Sequence, residues 1–449
     1  MLVFIYSSLA ILYIISRFVH EPFLQFSIGL IAALSLVISF LFSKGLYRNS
    51  GLIFLSIGLL LFSHNDLPWY QLFFYFETML GVLSLFLVLP FINSLIRVGK
   101  YDKNLSLFLE QGVTKLNKLY KRSFLVTHLL GLFLNIATIP LLAKSLKTTL
   151  HQLPTKTSNK YYSQNLLRAY ALCLTWSPME VMVSTSLDIT NTTYLQIFPI
   201  VISIVFIAIV TDWILSSYKF KEELTIISSS QTISTLRIKK KIYEMLVLLV
   251  ILIVFVSILQ STLNKGYLFS IILLIIPISI GWSFIIGKVK RYFQITIPHW
   301  KERTNGLSNY FFMFLSASLF VDMLSLSGHL MFLQSTFVHL ADKTFSLYLV
   351  IAAFFLVTSL IGFHPLVSIT LIAELLSPIV FGVSNIALTI VLIACSLSTV
   401  MYSPYNLSVS ILAEQIKVNP YKLGLWNLPY ALFYILLSIS IAYFISLFF

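Results

Sequence analysis

The residues of this chain with the means to do chemistry gather at two Ser-Pro breaks set inside apolar sequence. Trp176-Ser-Pro-Met-Glu-Val-Met-Val-Ser184 and Tyr402-Ser-Pro-Tyr-Asn-Leu-Ser-Val-Ser410 align without gaps, aromatic on aromatic and Ser184 on Ser410. Pro178 and Pro404 each remove a backbone N–H and push the preceding residue out of helical geometry. A helix broken in this way offers free carbonyls on one half and free N–H groups on the other. Carbonyls with Ser or Thr hydroxyls suit Na+, whereas N–H ends carry partial positive charge and suit an anion such as a carboxylate. Upstream of each break lies a segment that reads as a hairpin. These are Gly131-Leu-Phe-Leu-Asn-Ile-Ala-Thr-Ile-Pro140 and Gly362-Phe-His-Pro-Leu-Val-Ser-Ile-Thr370. The polar groups expected at the tips and turns are Asn135, Thr138, Ser177, Ser368, Thr370, Ser403 and Asn406.

Ionisable groups provide the second clue. Glu180, Asp188, Glu374 and Glu414 lie in or beside the interrupted zones, and His364 lies in the second hairpin. Charge at bilayer depth is costly, so such groups default to functional hypotheses. Glu180 is the best buried candidate for a cation or proton, and Glu180, Glu374 and His364 together make a proton-relay candidate. A hydrogen-bonded packing histidine accounts for His364 equally well. Asp188 and Glu414, which fall opposite each other, read as solvated or capping residues at helix ends. Asp212, Asp322 and Glu77 read as structural pairs or helix-end residues. Lys144 and Arg168 fall at span edges, which leaves no basic pair inside the membrane to clamp an anion. A single Ser-Pro in a span is ordinarily a kink whose freed carbonyls are met by neighbouring hydroxyls. Two such sites with shared flanks, each behind a hairpin, favour a binding role.

Membrane helices must position these groups. Of 449 residues, 58% are hydrophobic and 10% charged, where a soluble chain would be about a quarter charged. The apolar content is enough for roughly eleven or twelve spans of ~20 residues. This excludes a soluble enzyme, a nucleic-acid binder and a disordered scaffold. The fold class expected is an all-α polytopic membrane protein with about 11 transmembrane helices and two re-entrant hairpins. Residues 1–22 form an extra N-terminal span, which lacks the basic region and cleavage site of a removable signal. A first repeat covers 23–218, with its hairpin at 123–149 and broken helix at 162–190. A basic connector follows at 219–241. The second repeat covers 242–449, with its hairpin at 344–380 and broken helix at 384–415. Three spans separate the central connector from the second hairpin, so the repeats are expected to be inverted, as in secondary transporters.

Charge sets the orientation. Lys and Arg number 30 against 16 acids. With the N-terminus cytoplasmic and the C-terminus extracytoplasmic, only Arg17, Lys265 and Lys343 of the basic residues face outward, as the loop-charge rule prefers. The excess charge is then a matter of topology in a cell membrane, and runs such as Arg237-Ile-Lys-Lys-Lys241 meet anionic lipid. Cys173 and Cys395 sit in apolar stretches and suggest neither disulfide nor metal cluster.

This layout resembles the ion transporter superfamily, and most closely the divalent anion:sodium symporter type. In that family one leading span precedes two inverted repeats of five spans, each with a hairpin and an unwound helix. Asn135-Ile-Ala-Thr138 looks like a degraded form of the family's Ser-Asn-Thr hairpin tip, and Ser403-Pro-Tyr-Asn406 looks like its second unwound turn. Full Ser-Asn-Thr is absent from both hairpins, the second carries Phe363-His-Pro365, and Glu180 stands where Asn406 stands in the other repeat. The resemblance implies secondary transport of a small carboxylate-type or inorganic anion, coupled to Na+ or H+, with no other cofactor or metal. The hairpins and broken helices would shift against spans 23–96 and 242–328. The departures leave room for a cation/proton antiporter using Glu180 and Glu374. A membrane enzyme acting on lipid-linked substrates is a weaker alternative, because the outer loops are short. Partners expected are membrane lipids and the small anion, not nucleic acid; the oligomeric state is left open, a homodimer included.

Overall fold

Backbone N–H and C=O groups find no water inside a bilayer, so apolar runs of this length must satisfy them within their own segments as helices. The computed structural model describes residues 1–109, 113–224, 235–380 and 382–448. Residues 225–234 of the basic connector lie outside the described residues. In chain order the helices of the first half are α1 Leu2–Ser16, α2 Pro22–Phe42, α3 Gly45–His64, α4 Leu80–Gly99, α5 Tyr101–Phe108, α6 Leu116–Leu134, α7 Thr138–Ser145 and α8 Lys147–Leu150. They continue with α9 Thr155–Tyr162, α10 Arg168–Leu174, α11 Val181–Thr190 and α12 Tyr194–Lys219. The second half holds α13 Thr235–Leu263, α14 Tyr267–Ile285, α15 Val289–Asn305, α16 Ser308–Leu326 and α17 Met331–Ala341. It ends with α18 Thr344–Ile361, α19 Pro365–Leu376, α20 Asn385–Tyr402, α21 Leu407–Ile416 and α22 Pro420–Ser446.

Among the described residues, 11 helices are long and apolar enough to cross a membrane. The number matches the sequence expectation, but its membership differs. At 15 residues, α1 is short for a span, whereas Leu116–Ser145, which holds the whole first hairpin turn, and the first arm of the second hairpin, Thr344–Ile361, are each among the eleven. Two polar stretches between the apolar runs, 144–168 and 288–306, are helical as well. The 288–306 connector is the polar, amphipathic α15, and the 144–168 connector runs through α8 and α9 into a buried π-helical turn at Ser163–Leu167.

The helices fall into two units that interleave along the chain. The first comprises Met1–Leu95, Ile258–Ala341 and Thr370–Val380. Its tightest pairing is α3 on α16. Gly51 and Gly58, seven residues apart on one face of α3, make the approach possible. A Cβ on Gly51 would sit 2.6 Å from the Phe312 ring, and one on Gly58 would sit 3.2 Å from the Phe320 backbone. Small residues serve helix contacts in a bilayer in this way because close backbone packing replaces the missing hydrophobic drive. Between them Phe54 stacks on Phe320 at 5.2 Å. The opposite side of α3 leaves Ile53, Ile57 and Leu60 exposed, as a lipid-facing stripe requires.

The second unit comprises Ile96–Ser257, Asp342–Ile369 and Phe381–Phe449. Its centre is α20, which packs against α22, α18, α11 and α10. The apolar window within Asn385–Ile416 is 94% buried, against 17% for that of α3, so this segment is interior on every side. α22 crosses the end of α20 at Gly424, where an added Cβ would lie 2.1 Å from the Tyr402 carbonyl. α12 begins with a Thr193–Gln196 capping box, and α22 begins with Asn419 accepting the Tyr421 N–H ahead of Pro420 at the first turn.

Candidate functional site

Both Ser-Pro sequences break their helices. α10 ends at Leu174 and α11 begins at Val181, with Glu180 extended (φ −82°, ψ 129°) at the N-cap. α20 ends at Tyr402 and α21 begins at Leu407, with Asn406 extended (φ −74°, ψ 138°) at the N-cap. The halves after the breaks are each 10 residues long and each ends on a left-handed residue, Asn191 (φ 51°) and Lys417 (φ 53°). Ser177 and Ser403, Glu180 and Asn406, and Asn191 and Lys417 keep one constant register. The sequence repeat at the breaks is thus a repeat of backbone geometry.

The hairpin turns need an adjustment. Gly362 makes the second turn with φ +111°, but in the first hairpin the positive-φ residue at the end of the leading arm is Asn135 (φ 50°, ψ −136°), not Gly131. A tight reversal needs positive φ, which asparagine tolerates better than most side-chain-bearing residues. Gly131 instead lets α6 approach α10, since a Cβ there would lie 2.4 Å from Cys173 Sγ. Asn135 is locked by two bonds to its Oδ1, from the Ile136 N–H at 2.7 Å and from the Tyr170 hydroxyl. Three residues on, Thr138 is fully buried at the start of α7, and its hydroxyl has no partner among the described residues. α7 packs against α21, so the first hairpin meets the second broken helix.

Around the second break, Ser403 donates to the Ser359 carbonyl at 2.8 Å and Ser359 donates to the Tyr402 hydroxyl at 3.1 Å. Ser368 donates to Thr358 Oγ1 at 3.0 Å. The end of α18 therefore gathers Ser368, Tyr402 and Ser403. Asn406 Oδ1 accepts the Ser408 N–H at 3.1 Å and the Ser408 hydroxyl at 2.8 Å. Pro404 contributes its carbonyl to Ser410 at 3.2 Å. Around the first break, Ser177 accepts the Glu180 N–H at 3.2 Å, and Pro178 lies in the reversal between them. Glu180 is buried, its carboxylate facing the Val181 and Met182 N–H groups at the positive end of α11. Trp176 donates to His128 Nε2 at 2.7 Å, while its carbonyl receives the Tyr194 hydroxyl at 2.5 Å.

Not every expected residue joins this group. Thr370 and Glu374 fall in the first unit, where Glu374 receives the Ser325 hydroxyl at 2.7 Å and Asp322 receives the Thr78 hydroxyl at 3.0 Å. His364 caps α19, its Nδ1 accepting the Leu366 N–H at 3.2 Å. Asp188 and Glu414 are exposed near the ends of α11 and α21, as solvated residues should be.

Sequence reasoning missed the strongest electrostatic feature of the second unit. Arg168 is not at a span edge; it is buried beside the π-helical turn. Its Nη1 lies 2.6 Å from Asp212 Oδ1, with side-chain exposures of 4% and 1%. Nε donates to Asn427 Oδ1 at 2.9 Å, Nη2 donates to the Trp426 carbonyl at 3.2 Å, and the guanidinium lies 4.5 Å over the Tyr430 ring. Tyr120 donates to Asp212 Oδ2 at 2.8 Å. The pair is neutralised from within, so it joins α10, α12 and α22 and does not serve as an open anion clamp. The available signal was Asp212 itself, a lone acid in an apolar span that requires a buried partner.

No protein-family model matches the sequence, and no curated protein matches it. Among solved structures the chain is similar to the YdaH transporter of Alcanivorax borkumensis, whose topology is described as unusual. Identity is 14% over 89% of this chain and 98% of that one, with a TM-score of 0.59. It is also matched to MtrF of Neisseria gonorrhoeae, from a class of antimetabolite efflux pumps, at 11% identity over 82% of this chain and 81% of that one, with a TM-score of 0.46. The YdaH likeness extends over nearly the whole chain and is a likeness of fold.

Proposed function

We propose that this protein is a secondary active transporter of a small, carboxylate-type or inorganic anion, coupled to Na+ or H+. One observation carries the reading. Two helices of the second unit break in the same way at the same register, with buried polar groups beside each break and a hairpin tip packed nearby. Such breaks expose backbone groups at bilayer depth, a cost tolerated where they line a binding cavity. The whole-chain likeness of fold to a transporter supports it. The resemblance to the divalent anion:sodium symporter type rests on Asn135–Thr138 and Ser403–Asn406.

In this mechanism the N–H end of α21 attracts the anion, that of α11 being already faced by the Glu180 carboxylate, while Thr138, Ser177 and nearby carbonyls hold the cation. Asn406 and Asn135 fix the two turns that present these groups. Alternating access then exposes the same site first to one side of the membrane and then to the other. Uptake of labelled anions into proteoliposomes, with and without Na+ or pH gradients, tests the reading. Asn406→Ala and Ser177→Ala should each abolish uptake without loss of membrane expression. Normal uptake in both variants overturns the site.

A second reading, a cation/proton antiporter, is favoured by the burial of Glu180 at the position that Asn406 holds in the other repeat. It predicts Na+-dependent dye dequenching in proteoliposomes without added anion.

A further inference from the structure

We propose a second anion site, separate from the broken helices and independent of the transport reading: a preformed pocket that takes inorganic phosphate or a phosphomonoester. The pocket lies at the basic end of the second unit, the end that the loop-charge rule assigns to the cytoplasm, and has a volume of about 300 Å³. Lys156 and Lys160 line it from one face of α9, one turn apart, and Lys219 lines it from the last residue of α12. Like charges four residues apart on a helix repel, and Lys160 is also within electrostatic reach of Lys219. Among the described residues none of the three is ion-paired. Three lysines against the single carboxylate of Glu222 leave the pocket an excess of positive charge that an anion relieves, and lysine binds phosphate as a point charge.

The walls are fixed before any ligand arrives. The segment after α12 is pinned to the segment before α6 by the Leu116 N–H on the Glu222 carbonyl at 3.0 Å and the Leu224 N–H on the Thr114 carbonyl at 2.9 Å. Phe220 forms a floor, stacked on Tyr120 at 5.2 Å and edge-on to Tyr161 at 5.5 Å. Gln164 at the inner end is buried and tied to the Trp426 carbonyl at 3.2 Å.

Glu222 decides which anion fits. It lines the same pocket, and its buried Oε2 has no hydrogen-bond partner among the described residues. A buried acceptor left unpaired is costly, and a carboxylate beside an anion is repulsive unless that anion brings a proton. Monohydrogen phosphate and phosphomonoesters at partial protonation carry an O–H to donate. Sulfate and the phosphodiester of a phospholipid carry none. The lysines supply attraction, and Glu222 discriminates between anions by requiring a donor.

The test uses the full-length protein in phosphatidylcholine nanodiscs at constant ionic strength, titrated calorimetrically with potassium phosphate, potassium sulfate and potassium chloride. Saturable phosphate binding at least tenfold tighter than sulfate binding is expected. Lys160→Gln/Lys219→Gln should weaken phosphate at least tenfold, while Lys160→Arg retains it and controls for folding. Glu222→Gln should bring sulfate to within about threefold of phosphate. No saturable phosphate signal beyond chloride, or unchanged affinity in the double variant, overturns the site. Equal affinity for both anions in the parent overturns the role of Glu222. A parallel set of nanodiscs containing phosphatidylglycerol separates the sources: a lysine-dependent gain in thermal stability there, with no phosphate binding, makes the pocket a lipid-headgroup contact and overturns the proposal.

Discussion

Replacing Arg168 with methionine tests the electrostatics of the second unit most severely. Asp212, 1% exposed, would lose its 2.6 Å partner and keep only the Tyr120 hydroxyl at 2.8 Å. Stranding one member of a buried ion pair costs about 3–5 kcal/mol. The lost cation–π contact with Tyr430 and the Asn427 Oδ1 stripped of its Arg168 donor place the expectation near the top of that range, about 5 kcal/mol; the Trp426 carbonyl keeps its bond from Gln164. Methionine keeps much of the volume, which confines the effect to charge and hydrogen bonds. Arg168→Met/Asp212→Leu removes both charges together and should cost less than Arg168→Met alone, because no buried ion is stranded. Reversible SDS unfolding in mixed micelles, followed by tryptophan fluorescence, measures all the variants; Trp213 follows Asp212 in sequence, and the Trp426 carbonyl accepts a bond from Arg168. An Arg168→Met cost below about 1 kcal/mol, or strictly additive single and double effects, would refute the reasoning.

Gly424→Leu should prevent α22 from crossing the end of α20, because even a Cβ meets the Tyr402 carbonyl at 2.1 Å; a destabilisation of about 3 kcal/mol or more is expected in the same unfolding assay. Asn135→Ala places alanine at φ 50° and removes the Tyr170 bond, at a cost of about 2 kcal/mol, whereas Asn135→Gly relieves the backbone strain and should cost less. Glu180→Gln keeps a polar side chain at the start of α11 but removes its charge. Retained expression with loss of cation-driven uptake is expected if Glu180 carries the coupling ion, and unchanged uptake assigns it to capping alone.

How much of this was legible from one dimension varies residue by residue. The breaks at Pro178 and Pro404 were legible because a missing N–H acts locally, and the two flanks repeat at one spacing. The turn at Asn135 was visible as a polar tip, but that Asn135 and not Gly131 takes the positive φ there was not, since the backbone sign of φ is not written in the letters Asn or Gly. Arg168 was misplaced because the polar run Ser163-Gln-Asn165 reads as the end of a span when taken alone. That run is instead satisfied by groups more than 40 residues away: Asn165 donates to the Tyr120 carbonyl at 2.8 Å, and Ser163 donates to the Leu423 carbonyl at 3.2 Å.

The sequence by itself therefore determined the solvent, the helical class and the places where helices must stop. Apolar content and proline chemistry act over one segment and need no partner. Tertiary structure alone decided which polar groups are buried together. Arg168 meets Asp212 and Asn427, Thr190 and Thr192 meet Thr389, and Glu374 belongs to the other unit, because three helices must close on a point before a buried charge finds its counter-charge. Desolvation makes such a pairing obligatory, and only the packed fold says with whom.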